Sequence, residues 1–74
     1  MPELPRISGR KAVQVFERMG FVRARQRGSR VVLRRGGVGC VVPLHKSLAI
    51  GTLRSAIRQA GIKPDEFIGA HEGK

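Results

Sequence analysis

The order of amphipathic segments in this 74-residue chain predicts a small α+β domain, α-β-β-β-α, with a three-stranded antiparallel sheet and its helices on one face. Three observations carry that prediction. Apolar residues recur at helical spacing near both ends, as Val13, Phe16 and Met19 and again as Leu53, Ala56, Ile57 and Ala60. Between them lie three short half-apolar runs separated by glycine-containing steps. The length leaves room for a single domain, residues 1–74, close to the size at which a core without staples still holds.

Residues 1–6, with two prolines, read as an extended lead-in. Ser8 is placed to cap a helix over about residues 9–19, which Gly20 closes in the left-handed C′ position. Arg10, Lys11 and Arg18 lie off its apolar stripe. The strands follow at 21–26, 31–35 and 39–42, the last ended by Pro43, which has no N–H for a ladder. Parity leaves a conflict in the first strand. Phe21 falls on the same face as Arg23 and Arg25, so either Phe21 precedes the regular strand or a bulge changes the register. After the loop Leu44-His45-Lys46-Ser47, a second helix is expected over about 50–60, closed by Gly61. Its exposed Arg54 and Arg58 form a like-charged i, i+4 pair that an anionic partner would relieve. Pro64, Asp65 and Glu66 favour one short final turn, locked on by Phe67 and Ile68, with residues 69–74 as a flexible tail. Two amphipathic helices on one face of a three-strand meander is the layout of the double-stranded-RNA-binding domain.

Charge narrows the function. Fifteen Lys and Arg stand against five acids, a net +10, and no acid lies between residues 18 and 64. Self-repulsion at that density is usually offset by a polyanionic partner, here nucleic acid, although an acidic protein could use the same surface. With no Trp, no Tyr and three Phe, an aromatic stacking platform for bases is not expected. One cysteine, Cys40, forms no intrachain disulfide, and no Cys/His cluster has metal-ligand spacing, so neither metal nor other cofactor is called for. Apolar runs of four or five residues and an N-terminus without a hydrophobic signal segment lead to the expectation of a cytoplasmic protein with no membrane span. Oligomeric state is left open.

The basic stretch RARQRGSRVVLRR, Arg23 to Arg35, reads as a hairpin turning at Gly28-Ser29. Alternation would project Arg23, Arg25 and Arg27 together, about 6–7 Å apart. Gly28, Ser29, Arg34, Lys46 and Arg54 extend the expected RNA contacts. His45 carries an imidazole, the side chain best suited to proton transfer, and is a candidate acid or base, against the simpler reading of a loop or capping histidine. Ser29 reads as a turn residue, Cys40 as a small core side chain, and His71 as a tail residue without a role. The glycines at 36, 37 and 39 join two strands and do not form a phosphate loop, which needs a following helix.

Three stretches, SGRKAVQVFERMGF, RQRGSR and VPLHKSLAIGTLRSAIRQAGI followed by PDEFI, together resemble the HicA-type toxin family over about residues 7–68. The resemblance implies a double-stranded-RNA-binding-like fold that cleaves mRNA and is neutralised by a HicB-like antitoxin. In that family the central motif reads G-S-H, with its histidine at the head of the second strand. Here the motif is Gly28-Ser29-Arg30. A guanidinium stays protonated and cannot act as a general base, but it can hold a phosphate or stabilise a pentacovalent transition state. Three readings therefore stand: an RNA binder without activity, an enzyme whose proton transfer resides at another residue such as His45, or an inactivated toxin variant.

Overall fold

The computed structural model describes residues 4–73. They form α1 (Gly9–Arg18), β1 (Val22–Arg27), β2 (Arg30–Arg35), β3 (Val38–Pro43), α2 (Ile50–Gln59) and α3 (Pro64–His71). The strands make one antiparallel sheet in the order β1-β2-β3, so the expected α-β-β-β-α arrangement is observed. Among the described residues, no helix is long and apolar enough to cross a membrane. The final helix is longer than the single turn expected. Residues 69–71, assigned to a flexible tail, are helical, because Gly69 and Ala70 continue a helix whose start is fixed by Pro64 and by the Lys63 N–H donating to Glu66 Oε1 at 2.9 Å. Residues 1–3 of the lead-in and Lys74 of the tail lie outside the described residues.

The core forms where α1 and α2 meet one face of the sheet and α3 packs against both helices. Val31 and Leu33 of β2 and Cys40 and Val42 of β3 turn inward, opposite one another in register, and are almost fully buried. Phe16 of α1 stands at the centre, with Phe21 edge-on at 5.3 Å and Phe67 of α3 tilted at 5.2 Å. Leu4 and Leu48 complete the core from segments without helical or strand periodicity.

Both proposed answers to the parity conflict hold. Phe21 precedes β1, and a bulge between Arg23 and Arg25 leaves Ala24 without a partner. Arg23 pairs across to Leu33 and shares the helix side, whereas Arg25 pairs with Val32 and Arg27 with Arg30 on the other side. The expected trio of Arg23, Arg25 and Arg27 on one face is thereby broken after its first member.

The hairpin turn depends on Gly28, at φ +58. Ser29 has no positive φ, so the left-handed value at the first of the two loop residues alone is the pattern of a type II′ turn, which matches strand twist.

Candidate nucleic-acid interface

The face of the sheet turned away from the helices is built from Val22, Arg25 and Arg27 of β1, Arg30, Val32 and Arg34 of β2, and Gly39 and Val41 of β3. Arg25, Arg27, Arg30 and Arg34 are all exposed, and none is bonded or ion-paired to any described residue. Arg27 and Arg30 are direct cross-strand partners at the end of the hairpin. Like charges placed opposite one another are destabilising, and an anion between them reverses the sign of that interaction. Val22 and Val41 are apolar exceptions on this basic face, 62% and 39% exposed.

Arg30 also lines a depression of about 290 Å³ between the sheet and α2, together with Pro43, His45, Thr52, Ser55 and Gln59. Fifteen positions separate Arg30 from His45 in sequence, and three backbone hydrogen bonds bring the loop to this place. Leu44 N–H donates to the Ser29 carbonyl in the hairpin turn, Gly9 N–H at the start of α1 donates to the His45 carbonyl at 2.8 Å, and Leu48 N–H donates to the Ile7 carbonyl at 2.8 Å. Gly9 makes the second bond possible. A Cβ there would lie 1.9 Å from the Pro43 carbonyl oxygen, so the first turn of α1 packs backbone to backbone against the loop.

The α2 wall follows from helical geometry. Thr52, Ser55 and Gln59 recur at i, i+3 and i+7 beside the buried Leu53, Ala56 and Ile57. Gln59 uses its Oε1 to accept from the Val41 N–H at 3.1 Å, which satisfies a donor on the outer edge of β3. Arg54 does not line the depression, because it projects from α2 on the side away from Thr52 and Ser55.

The other sequence candidates separate in the structure. Arg23 donates from Nε to Glu17 at 3.3 Å on the helix side. Gly28 and Ser29 form the turn, and the Ser29 carbonyl anchors the His45 loop. Arg34 lies further along the open face, in a depression that shares Val41 and Gln59 with that of Arg30. Lys46 is exposed beside His45. Cys40 is buried, and desolvation pushes its thiol up to about 11, so it stays protonated and unreactive at neutral pH. Among the described residues no group of three His, Cys, Asp or Glu side chains is arranged to hold a metal ion.

Sequence reasoning missed Thr52, Ser55, Gln59 and the close approach of Gly9. The polar i, i+3, i+7 recurrence in α2 was a readable signal for the first three. Nothing local marks Gly9, since its neighbour in space is more than thirty residues away in the chain.

What the fold and the depression suggest, comparison with known proteins decides at family level. A sequence model of the family described as the HicA toxin of bacterial toxin-antitoxin matches residues 9–62. The chain belongs to the HicA toxin family. The matched segment runs from the first residue of α1 through the sheet and α2, and it includes Arg30, His45 and the α2 wall of the depression. No curated protein matches the chain.

Proposed function

We propose that this HicA-family chain is a cytoplasmic endoribonuclease that binds mRNA on its open, arginine-lined face and cleaves it at the Arg30/His45 depression. The observation that carries the proposal is the convergence of a permanent cation and an imidazole on one depression whose lining has no carboxylate to repel a phosphodiester. Arg30 holds a non-bridging phosphate oxygen. Neutral His45 takes the proton of the ribose 2′-hydroxyl, the 2′-oxygen forms a bond to phosphorus, and the bond from phosphorus to the 5′-oxygen breaks. Water protonates that leaving oxygen, and His45 returns its proton to solvent. The products are a 2′,3′-cyclic phosphate and a 5′-hydroxyl end. Thr52 and Ser55 offer hydroxyls to the same phosphate or to a sugar.

End-labelled transcript incubated with the chain tests this, with chelator present and absent. Cleavage lost in His45→Ala and insensitive to chelator is expected. Cleavage that persists in His45→Ala removes His45 from the mechanism, and cleavage abolished by chelator rejects the metal-free reaction.

A second reading follows from Arg30 itself. With an arginine where the family carries histidine, the same face serves as a non-catalytic RNA-binding surface or belongs to an inactivated toxin. Cleavage gained only in Arg30→His favours this reading, while equal cleavage by both forms favours the first.

A HicB-like antitoxin is the proposed neutralising partner. Exposed Val22 and Val41 among Arg25, Arg27, Arg30 and Arg34 suit a protein surface that brings both carboxylates and apolar side chains. Such a partner would cover the arginines that RNA needs, so binding of the two should be mutually exclusive.

A further inference from the structure

We infer that Arg10 and Lys46 form a second phosphate subsite, on the far side of His45 from Arg30, which takes the neighbouring phosphate of the same RNA strand. The inference rests on the reading that the ligand is RNA.

A depression of about 300 Å³ lies between the start of α1 and the loop after β3, lined by Ser8, Arg10, Leu44, His45 and Lys46. His45 also lines the depression that holds Arg30, so the two depressions share that residue. Arg10 and Lys46 are both exposed and have no hydrogen bond or ion pair to any described residue. Among the described residues, no acid lines either depression. Two cations without partners at one small concavity repel each other, and an anion seated there turns that repulsion into attraction. The Ser8 hydroxyl accepts from the Lys11 N–H at 3.0 Å as the cap of α1, and its own O–H can still donate to a ligand beside the two basic side chains.

The arrangement is also held in place. The Gly9 N–H to His45 carbonyl bond ties the residue before Arg10 to the residue before Lys46, so the backbone segments that carry the two cations are held together. A strand crossing His45 with one phosphate at Arg30 and the next at Arg10 and Lys46 presents the intervening ribose to the imidazole. The second subsite therefore sets which 2′-hydroxyl faces His45.

The test is a fluorescence titration of a labelled single-stranded RNA, made with 2′-O-methyl riboses so that binding is read without cleavage, over a series of salt concentrations. In the double variant Arg10→Gln/Lys46→Gln, the slope of log affinity against log salt is expected to fall by about 0.7 for the lost phosphate contact. Arg30→Gln should lower it by a similar amount, and the combined variant by the sum. Arg6→Gln/Lys63→Gln removes the same charge from outside both depressions and should keep the original slope. Thermal melting of each variant verifies that all are folded. A slope for Arg10→Gln/Lys46→Gln equal to that of the charge-matched control overturns the subsite while leaving RNA binding intact. Failure of the unaltered chain to bind the RNA overturns the RNA reading and the subsite with it.

Discussion

Arginine serves opposite purposes on the two faces of the sheet. On the helix side, Arg35 lies 4.6 Å over the Phe21 ring and donates to the Met19 carbonyl at 2.8 Å, Arg23 pairs with Glu17, and Arg18 of α1 donates to the Ala70 carbonyl of α3 at 3.2 Å. These side chains close the rim of the core and have internal partners. On the open side, Arg25, Arg27, Arg30 and Arg34 meet no described partner. The same residue type within one thirteen-residue stretch is structural or available according to which way the pleat turns it, and one bulge at Ala24 decides the assignment for β1. Counting arginines thus overstates the charge offered to RNA. The face has to be known first.

The comparison predicts a graded series of stability effects. The largest separates neighbouring β2 positions. Leu33→Ala removes a fully buried side chain and should cost about 2–5 kcal/mol in denaturant unfolding, whereas Val32→Ala, on the open face, should stay below about 1 kcal/mol. Equal losses would contradict the two-face division. Next comes Gly9→Ala, whose Cβ collides with the Pro43 carbonyl. About 1–3 kcal/mol of destabilisation is expected, accompanied by shifts in the His45 ring resonances because the loop must move.

Among the arginines, Arg35→Ala should cost about 1–2 kcal/mol through its lost ring contact and hydrogen bond, against less than about 0.5 kcal/mol for Arg34→Ala. RNA affinity should order the two variants the other way, since Arg34 lies on the proposed RNA face. Arg23→Ala should cost under about 1 kcal/mol, because its pair with Glu17 is half exposed. A change in RNA affinity larger for Arg23→Ala than for Arg25→Ala would reverse the assignment of the bulge.

A last effect appears only at alkaline pH. The Cys40 thiol is raised in the folded state to about 11 from an ordinary value near 9.0, so the folded chain holds that proton more tightly than the unfolded one. The associated stability is fully present below about pH 9 and is lost as pH rises through about 11. Melting curves of the unaltered chain and Cys40→Ala should therefore converge or cross in that window, and parallel curves would indicate that the thiol is hydrated.

Much of the fold was legible because its signals are local. Helical recurrence of Val13 and Phe16, the Ser8 cap, the Gly28-Ser29 turn and the Pro64 start each lie within a few residues of the feature they specify. The parity conflict at Phe21 announced a fault in β1 without locating it, since alternation reveals that a register must change but not which residue is passed over. The extra length of α3 was missed because Gly69 and Ala70 carry no apolar stripe. Their helix is sustained by packing and by the contact from Arg18 rather than by pattern. At the site, Arg30 and His45 were readable singly, yet their meeting depends on backbone hydrogen bonds between the loop and Ser29, Gly9 and Ile7, which lie far from it in the chain. Arg10 was read as exterior charge, and only the fold places it across a small concavity from Lys46.

The most direct measurement follows the arginine Nε–Hε and histidine ring signals by NMR while single-stranded 2′-O-methyl RNA is added. Progressive shifts at Arg25, Arg27, Arg30, Arg34 and His45, with Arg18, Arg23 and Arg35 unmoved, are the predicted result. Shifts concentrated on Arg23 and Arg35, or spread evenly over every arginine, would contradict the division of the two faces and the RNA surface built on it.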